Sequence, residues 1–447
     1  MSNLVAMSPF QAAAVLVTLA AALSWFNARI LKLPSSVGLA LMGALASICV
    51  ILLDRVLPDS RLAETLNRFL GRLDFHHTLM DGMLSFLLFA GALHVDLGHL
   101  RRGALPVALF ATLGVLASTA MVGAGMALLT HLAGLTVPLA WCLLFGALIS
   151  PTDPVAVLAV MKHARTPPVL QATVSGESLF NDGVGVVVFG IILDMVVSGH
   201  APTAIRAVEL FAVEAFGGVA LGLLVGWVGY RAMRSIDDYP VELLITLAMV
   251  MGGYTLAQLI HVSGPVAMAV SGLLTGNQGV ARAMSETTRD HIIKFWSMID
   301  EVLNAVLFLL IGLLAVVAGG EVWALVVGLA AVPLVFLARA ASVGGPLLAL
   351  GGSLPFRASF PVLVWGGLRG GISIALALSL PAGPARATLL TATYVVVLFS
   401  VLVQGLTING LLTWLAARKA RPPPPPPSDK PTAQRAGGPG SAGDGAA

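Results

Sequence analysis

Thirteen apolar stretches follow one another through the first 415 residues of this 447-residue chain, at roughly 9–30, 34–53, 75–95, 103–131, 137–160, 168–197, 207–230, 240–260, 263–277, 295–318, 322–345, 356–381 and 388–415. Lipid offers no partners to backbone N–H and C=O groups. Stretches of about 20 apolar residues therefore cross a bilayer as helices, which satisfy those groups internally. With 57% hydrophobic and only 11% charged residues, the expected fold is an all-α polytopic membrane protein. The small net charge of +3 is spread over short loops, which argues against a nucleic-acid surface. Cys49 and Cys142 lie in apolar runs and read as packing residues. No Lys or Arg precedes the first run, so it reads as a true span and not as a signal peptide.

An odd number of spans puts the termini on opposite sides. Sixteen Lys and Arg, among them Arg101, Arg102, Arg231, Arg289, Arg339 and Arg418, fall in loops on one side, against six on the other. The excess predicts an outside N-terminus and a cytoplasmic C-terminus. Residues 54–74 read as an outer amphipathic helix. Residues 285–298 read as a cytoplasmic interfacial helix, with Ile292, Ile293, Phe295 and Trp296 turned to lipid. The division expected is a membrane domain over 1–418 and a disordered Pro/Gly-rich cytoplasmic tail over 419–447.

Within this apolar background three carboxylates stand out. Ser150-Pro151-Thr152-Asp153-Pro154 lies in the fifth span, and Gly176-Glu177-Ser178-Leu179-Phe180-Asn181-Asp182-Gly183 in the sixth. A charge at membrane depth costs at least about 2.5–3.5 kcal/mol, so a chain that keeps Asp153, Glu177 and Asp182 there has a use for them. Ser178 and Asp182 are four apart and share one helix face; Glu177 and Asn181 share the next. Asp182, the Ser178 hydroxyl and the carbonyls freed near Thr152 offer the hard oxygens an alkali cation takes in place of water. Burial penalises the bare charge, so Asp182 is suited to hold either a proton or a cation. One such carboxylate predicts one proton per monovalent cation, and the uncharged Asn181 agrees. Glu177 needs a counter-charge, and a Glu177–Arg369 ion pair is expected, read as structural.

The spans also carry a symmetry. If six spans repeat after one linker span, the fifth corresponds to the twelfth in inverted orientation. Both are interrupted, one by Pro151 and Pro154, the other by Gly366-Gly367-Leu368-Arg369-Gly370-Gly371. Paired broken helices at matching positions point to a transport site at the midplane.

These three segments, in this order, resemble the matching segments of the NhaP/NHE-type monovalent cation:proton antiporter family, and the likeness runs to about residue 415. The resemblance implies two inverted six-helix repeats with crossed broken helices, the NhaA-like antiporter fold. It also implies a homodimer in a bacterial inner membrane and exchange of Na⁺, Li⁺ or K⁺ for H⁺, with the ion and proton as substrates and no cofactor. Asp182 then binds ion and proton, and Asp153, Thr152 and Ser178 complete the Na⁺ site. Asn181 matches the Asn-Asp pair of electroneutral members.

Weaker candidates have two readings each. Asp81 is an ion-path or an outer-rim residue; Asp300, Glu301 and Asn304 line a funnel or sit at the interface. Asp194, Glu209, Glu214 and Glu242 are expected to be solvated, and His94, His99 and His163 are polar flanks or pH sensors. An intramembrane aspartyl protease is disfavoured, because neither Tyr-Asp nor Gly-x-Gly-Asp occurs around these aspartates. A channel needs no titratable group at its constriction.

Overall fold

A computed structural model describes residues 9–57, 66, 82–154, 157–158, 160–161, 166–279, 284–314, 322–350, 354–383 and 385–419. The elements are α1 (Pro9–Phe26), α2 (Ser35–Val56), α3 (Leu84–Leu93), α4 (Leu97–Arg102), α5 (Ala104–Leu132), α6 (Leu139–Ile149), α7 (Pro168–Ser198), α8 (Ala204–Met233), α9 (Tyr239–Leu259) and α10 (Gly264–Leu274). They continue with α11 (Glu286–Leu313), α12 (Val322–Ala349), α13 (Phe356–Trp365), α14 (Gly371–Leu378), α15 (Arg386–Phe399) and α16 (Gly405–Lys419). Among the described residues nine helices are long and apolar enough to cross a membrane. The third, fifth, ninth and twelfth predicted spans fall short of that length. The third lies partly outside the described residues, the ninth is the short α10, and the fifth and twelfth are broken.

Helix limits follow local chemistry. Pro168 sits in the first turn of α7, where its missing N–H costs nothing, and Gly199 closes the helix at φ 73°. Ser263 and Ser285 cap α10 and α11 by accepting the N–H of Val266 and Thr288. Gly218, Gly222 and Gly226 recur one turn apart on α8 and let it lie against α10, where added Cβ atoms would strike Ser263, Ala267 and Leu274.

Residues 285–298 depart from the interfacial expectation. They open α11, which runs unbroken to Leu313, and Ile292 and Trp296 are buried. Trp296 packs on Phe89 with ring centroids 4.7 Å apart and donates its indole N–H to Thr246 Oγ1 at 3.0 Å, so α3 and α9 take the place assigned to lipid. Most of residues 54–74, and the tail beyond 419, lie outside the described residues.

Candidate functional site

The two breaks cross. Pro151 has no N–H to give to the Ala147 carbonyl and Pro154 none to give to that of Ser150, so α6 ends at Ile149 and the chain leaves the helix through Thr152. Helix resumes once Leu158 N–H reaches Pro154 O at 2.8 Å. In the twelfth span the four glycines separate α13 from α14. Where the strands cross, Asp153 N–H donates to Leu368 O at 2.8 Å, the single bridge among the described residues. Gly370 permits the approach, since a Cβ there would lie 2.7 Å from Asp153 Cβ. Gly185 does the same for α7, where a Cβ would run into Pro151.

Broken helices at membrane depth leave carbonyls that must find donors. Arg369 supplies them for α6: its Nη1 donates to Ser150 O, the oxygen orphaned by Pro154, and to Pro151 O at 2.9 Å. For α13, Arg339 donates to Leu363 O from Nε at 3.2 Å and from Nη2 at 3.0 Å, and Gln404 Nε2 donates to Trp365 O at 3.1 Å. Ser400 completes the frame by accepting Arg369 N–H at 2.8 Å and donating to Gln404 Oε1 at 2.7 Å. Ser400 and Gln404 bound a π turn joining α15 to α16, which turns both toward the break.

This arrangement corrects the expected ion pair. Glu177 is bound to Arg339, not Arg369, through a short hydrogen-bonded contact between Oε1 and Nη1, with both side chains buried. The physical reason is that Arg369 is already committed to the carbonyl end of α6, whose dipole carries partial negative charge. Arg339 is correspondingly not a loop residue. It lies inside α12, 6% exposed. Its position inside the eleventh apolar run, 322–345, is the signal that finds it.

On α7 the remaining site residues face the break. Ser178 donates to Thr152 O at 2.7 Å, and Asn181 Nδ2 donates to Thr152 Oγ1 at 2.7 Å, so one helix turn clamps the extended segment. Asp182, 8% exposed, has no ion pair among the described residues and lies close enough to Asp153 for their charges to interact. Thr152, Asp153, Ser178 and Asp182 together line a cavity of about 710 Å³ that reaches the exposed His94 and Asp96 and the half-buried His99 at one face of the molecule. The four predicted ligands thus meet at one place.

The chain matches a family model described as sodium/hydrogen exchanger, transmembrane, over residues 15–414. It belongs to that family. Among its relatives, the Na(+)/H(+) antiporter NhaP of Pseudomonas aeruginosa is 45% identical over 405 residues, 89% of this chain and 95% of the relative. The Na(+)/H(+) antiporter NhaH of Halobacillus dabanensis is 34% identical over 393 residues, 86% and 93% of the two chains. Both are transporters by name and not enzymes. The solved structure of the sodium proton antiporter MjNhaP1 from Methanocaldococcus jannaschii at pH 8 superposes with a TM-score of 0.70 at 22% identity, covering 92% of this chain and 99% of that one. That likeness establishes the fold.

The weaker candidates of this exchanger-family chain separate cleanly. Asp300 is half-buried, accepts a hydrogen bond from Asn304 Nδ2 at 3.1 Å and lines the cavity with it, whereas Glu301 is exposed and does not. Asp81 and His163 lie outside the described residues. Asp194 is exposed, and Glu209 pairs at the surface with Arg206 at 2.9 Å. Glu214 is half-buried, and its backbone carbonyl accepts Ser263 N–H at 3.0 Å. Glu242 is not solvated: it is fully buried and neither carboxylate oxygen has a partner among the described residues. At the cavity mouth Asp96 caps α4 by accepting His99 N–H at 2.8 Å, and that hydrogen bond, with the His99 ring beside it, holds its carboxyl below the usual carboxylate range.

Proposed function

We propose that this protein is a secondary antiporter that exchanges one monovalent cation, Na⁺ with Li⁺ or K⁺ as alternatives, for one proton across a bacterial inner membrane. The observation that carries the proposal is Asp182: a buried carboxylate with no ion pair among the described residues, lining a cavity beside two crossed helix breaks. A bare carboxylate is costly at that depth, and either H⁺ or a cation relieves the cost. If the site-bearing helices reorient only when Asp182 is neutralised, the two fluxes are coupled by competition for one group. Asp153, Thr152 and Ser178 supply further oxygens to the cation, and Asn181 orients Thr152.

The proposed architecture is thirteen spans, two inverted six-span repeats and a homodimer, with the N-terminus outside and pH homeostasis as the physiological role. In that orientation the cavity faces the cytoplasm, and the conformation described is open inward. Support comes from the Lys/Arg asymmetry, which survives the removal of Arg339 from the loop count.

The test is proton flux in proteoliposomes with Na⁺, Li⁺ and K⁺ supplied in turn. Wild-type protein shows cation-dependent flux, and Asp182→Asn shows none while keeping its elution profile and thermal transition. Retained flux in Asp182→Asn sinks the assignment. Cation uptake driven by a membrane potential alone sinks the one-to-one stoichiometry.

A further inference from the structure

We propose that Asp300, Asn304 and Ser373 form a second cation station on the open side of Asp182, where a partly dehydrated monovalent cation is held by oxygen ligands before it enters the exchange site. The inference rests on the antiporter reading above and adds a stage to it.

Asp300 and Asn304 are one turn apart on α11 and line the same cavity as Asp153 and Asp182. Asn304 gives its amide N–H to Asp300 Oδ1, which fixes both side chains and directs donor groups away from the ligand. The amide oxygen and the second carboxylate oxygen stay available as hard ligands. Facing them across the cavity is α14, which crosses α11 closely enough that a Cβ on Gly371 would collide with Leu307. Ser373, two residues on, also lines the cavity; it is 1% exposed, and its hydroxyl has no hydrogen-bond partner among the described residues. An orphaned buried hydroxyl is a group that a bound ligand satisfies. Asp300 is also near enough to Asp153 for their charges to interact, so a cation at the station lies on the way inward. A proton relay requires only the carboxylate. Neutral oxygens on two different helices beside it are what an alkali ion needs to replace water.

The experiment measures initial proton flux against Na⁺ concentration in proteoliposomes for the full chain, at low and high ionic strength set with an impermeant choline salt. Asp300→Asn is expected to raise the apparent KM for Na⁺ about tenfold with the maximal rate largely kept. Asp300→Glu is expected to restore most of the affinity. Ser373→Ala, which changes no charge, is expected to raise KM about threefold at both ionic strengths, and it decides the matter if Asp300→Asn fails to fold. An unchanged KM in Ser373→Ala overturns the station. So does an Asp300→Asn effect that vanishes at high ionic strength, which is long-range steering, or a maximal rate that collapses. Asp182→Asn is run alongside: flux retained there fails the exchange-site reading itself, whatever the Asp300 variants do.

Discussion

The Glu177–Arg339 contact makes a sharp prediction because the sequence suggests a different partner. Glu177→Gln leaves the Arg339 guanidinium buried, 6% exposed, without its counter-charge. Breaking a buried pair from one side costs about 3–5 kcal/mol. The lower end applies here, since Arg339 keeps its two hydrogen bonds to Leu363 O. The expected outcome is a loss of about 3 kcal/mol of stability, read as a fall of several degrees in the thermal transition of purified protein in detergent. Arg339→Leu should destabilise by a similar amount. The double variant Glu177→Leu/Arg339→Leu should recover much of the loss, because neither charge is then stranded. A double-mutant cycle between Glu177 and Arg339 should therefore give a coupling of about 2–3 kcal/mol. The same cycle with Arg369 should give a much smaller value, since Arg369 holds the carbonyls of Ser150 and Pro151. A larger coupling with Arg369 than with Arg339 would refute the assignment.

Four further outcomes are expected. Arg369→Leu should strand the α6 carbonyls and lower the thermal transition by an amount equivalent to about 1–3 kcal/mol, with transport reduced and little change when Glu177→Gln is added. Gly370→Ala should force the twelfth-span break away from Asp153, costing about 1–3 kcal/mol and slowing transport, visible as flux loss in well-folded protein. Thr246→Val should leave the Trp296 indole N–H without its partner and cost about 1–3 kcal/mol in the same thermal assay. For Asp96, whose folded-state carboxyl titrates below its unfolded value, the stabilising cap is present above the ordinary carboxylate range and is lost only as pH falls through the lower folded-state value. Amide exchange across residues 97–102, corrected for its intrinsic pH dependence, should therefore show constant protection from about pH 5 to 8, and a fall within that window would contradict it.

How much of this was legible depended on whether the cause was local. Pro154 removes the donor that Ser150 O needs, so the fifth-span break is written in four residues. The i, i+4 relations on α7 placed Ser178 with Asp182 and Glu177 with Asn181, but it is Ser178 and Asn181 that together hold Thr152, while Glu177 turns to Arg339. The helix starts at Pro168 and Ser263 follow from the same short-range rules. The partner of Glu177 was not local. Glu177 and Arg339 are 162 positions apart, and choosing between two buried arginines requires knowing which one the freed carbonyls have taken. The roles of Ser400 and Gln404 were invisible for a related reason: a π turn rotates them onto the neighbouring break, and no periodicity announces it. Trp296 was misplaced because an aromatic at a helix end reads equally as a lipid anchor or as a core residue until α3 and α9 are seen to cover it.

The charge arithmetic of the core then suggests why one ligand at a time suffices. Glu177 is matched by Arg339. Arg369 adds one positive charge and Asp153 one negative, each set against a half-helix end of opposite partial charge: the carbonyls of α6 for the arginine, the N-terminus of α14 beside Gly370 for the aspartate. With both aspartates ionised, the five side chains sum to one negative charge, and that surplus is Asp182. In the proposed cycle, one proton or one monovalent cation brings this set of charges to neutrality. A divalent cation would leave it positive by one, and an empty site leaves it negative by one. Either residual charge carries the penalty of crossing hydrocarbon, so in the proposed cycle the forbidden steps are exactly those that would uncouple the fluxes. Asn181→Asp adds a second carboxylate to this set without a new counter-charge. The variant should then move charge: a membrane potential should drive its cation uptake in vesicles where it drives none for the wild type. An unchanged, potential-independent flux in Asn181→Asp would show that the neutrality of the core is not what gates the step.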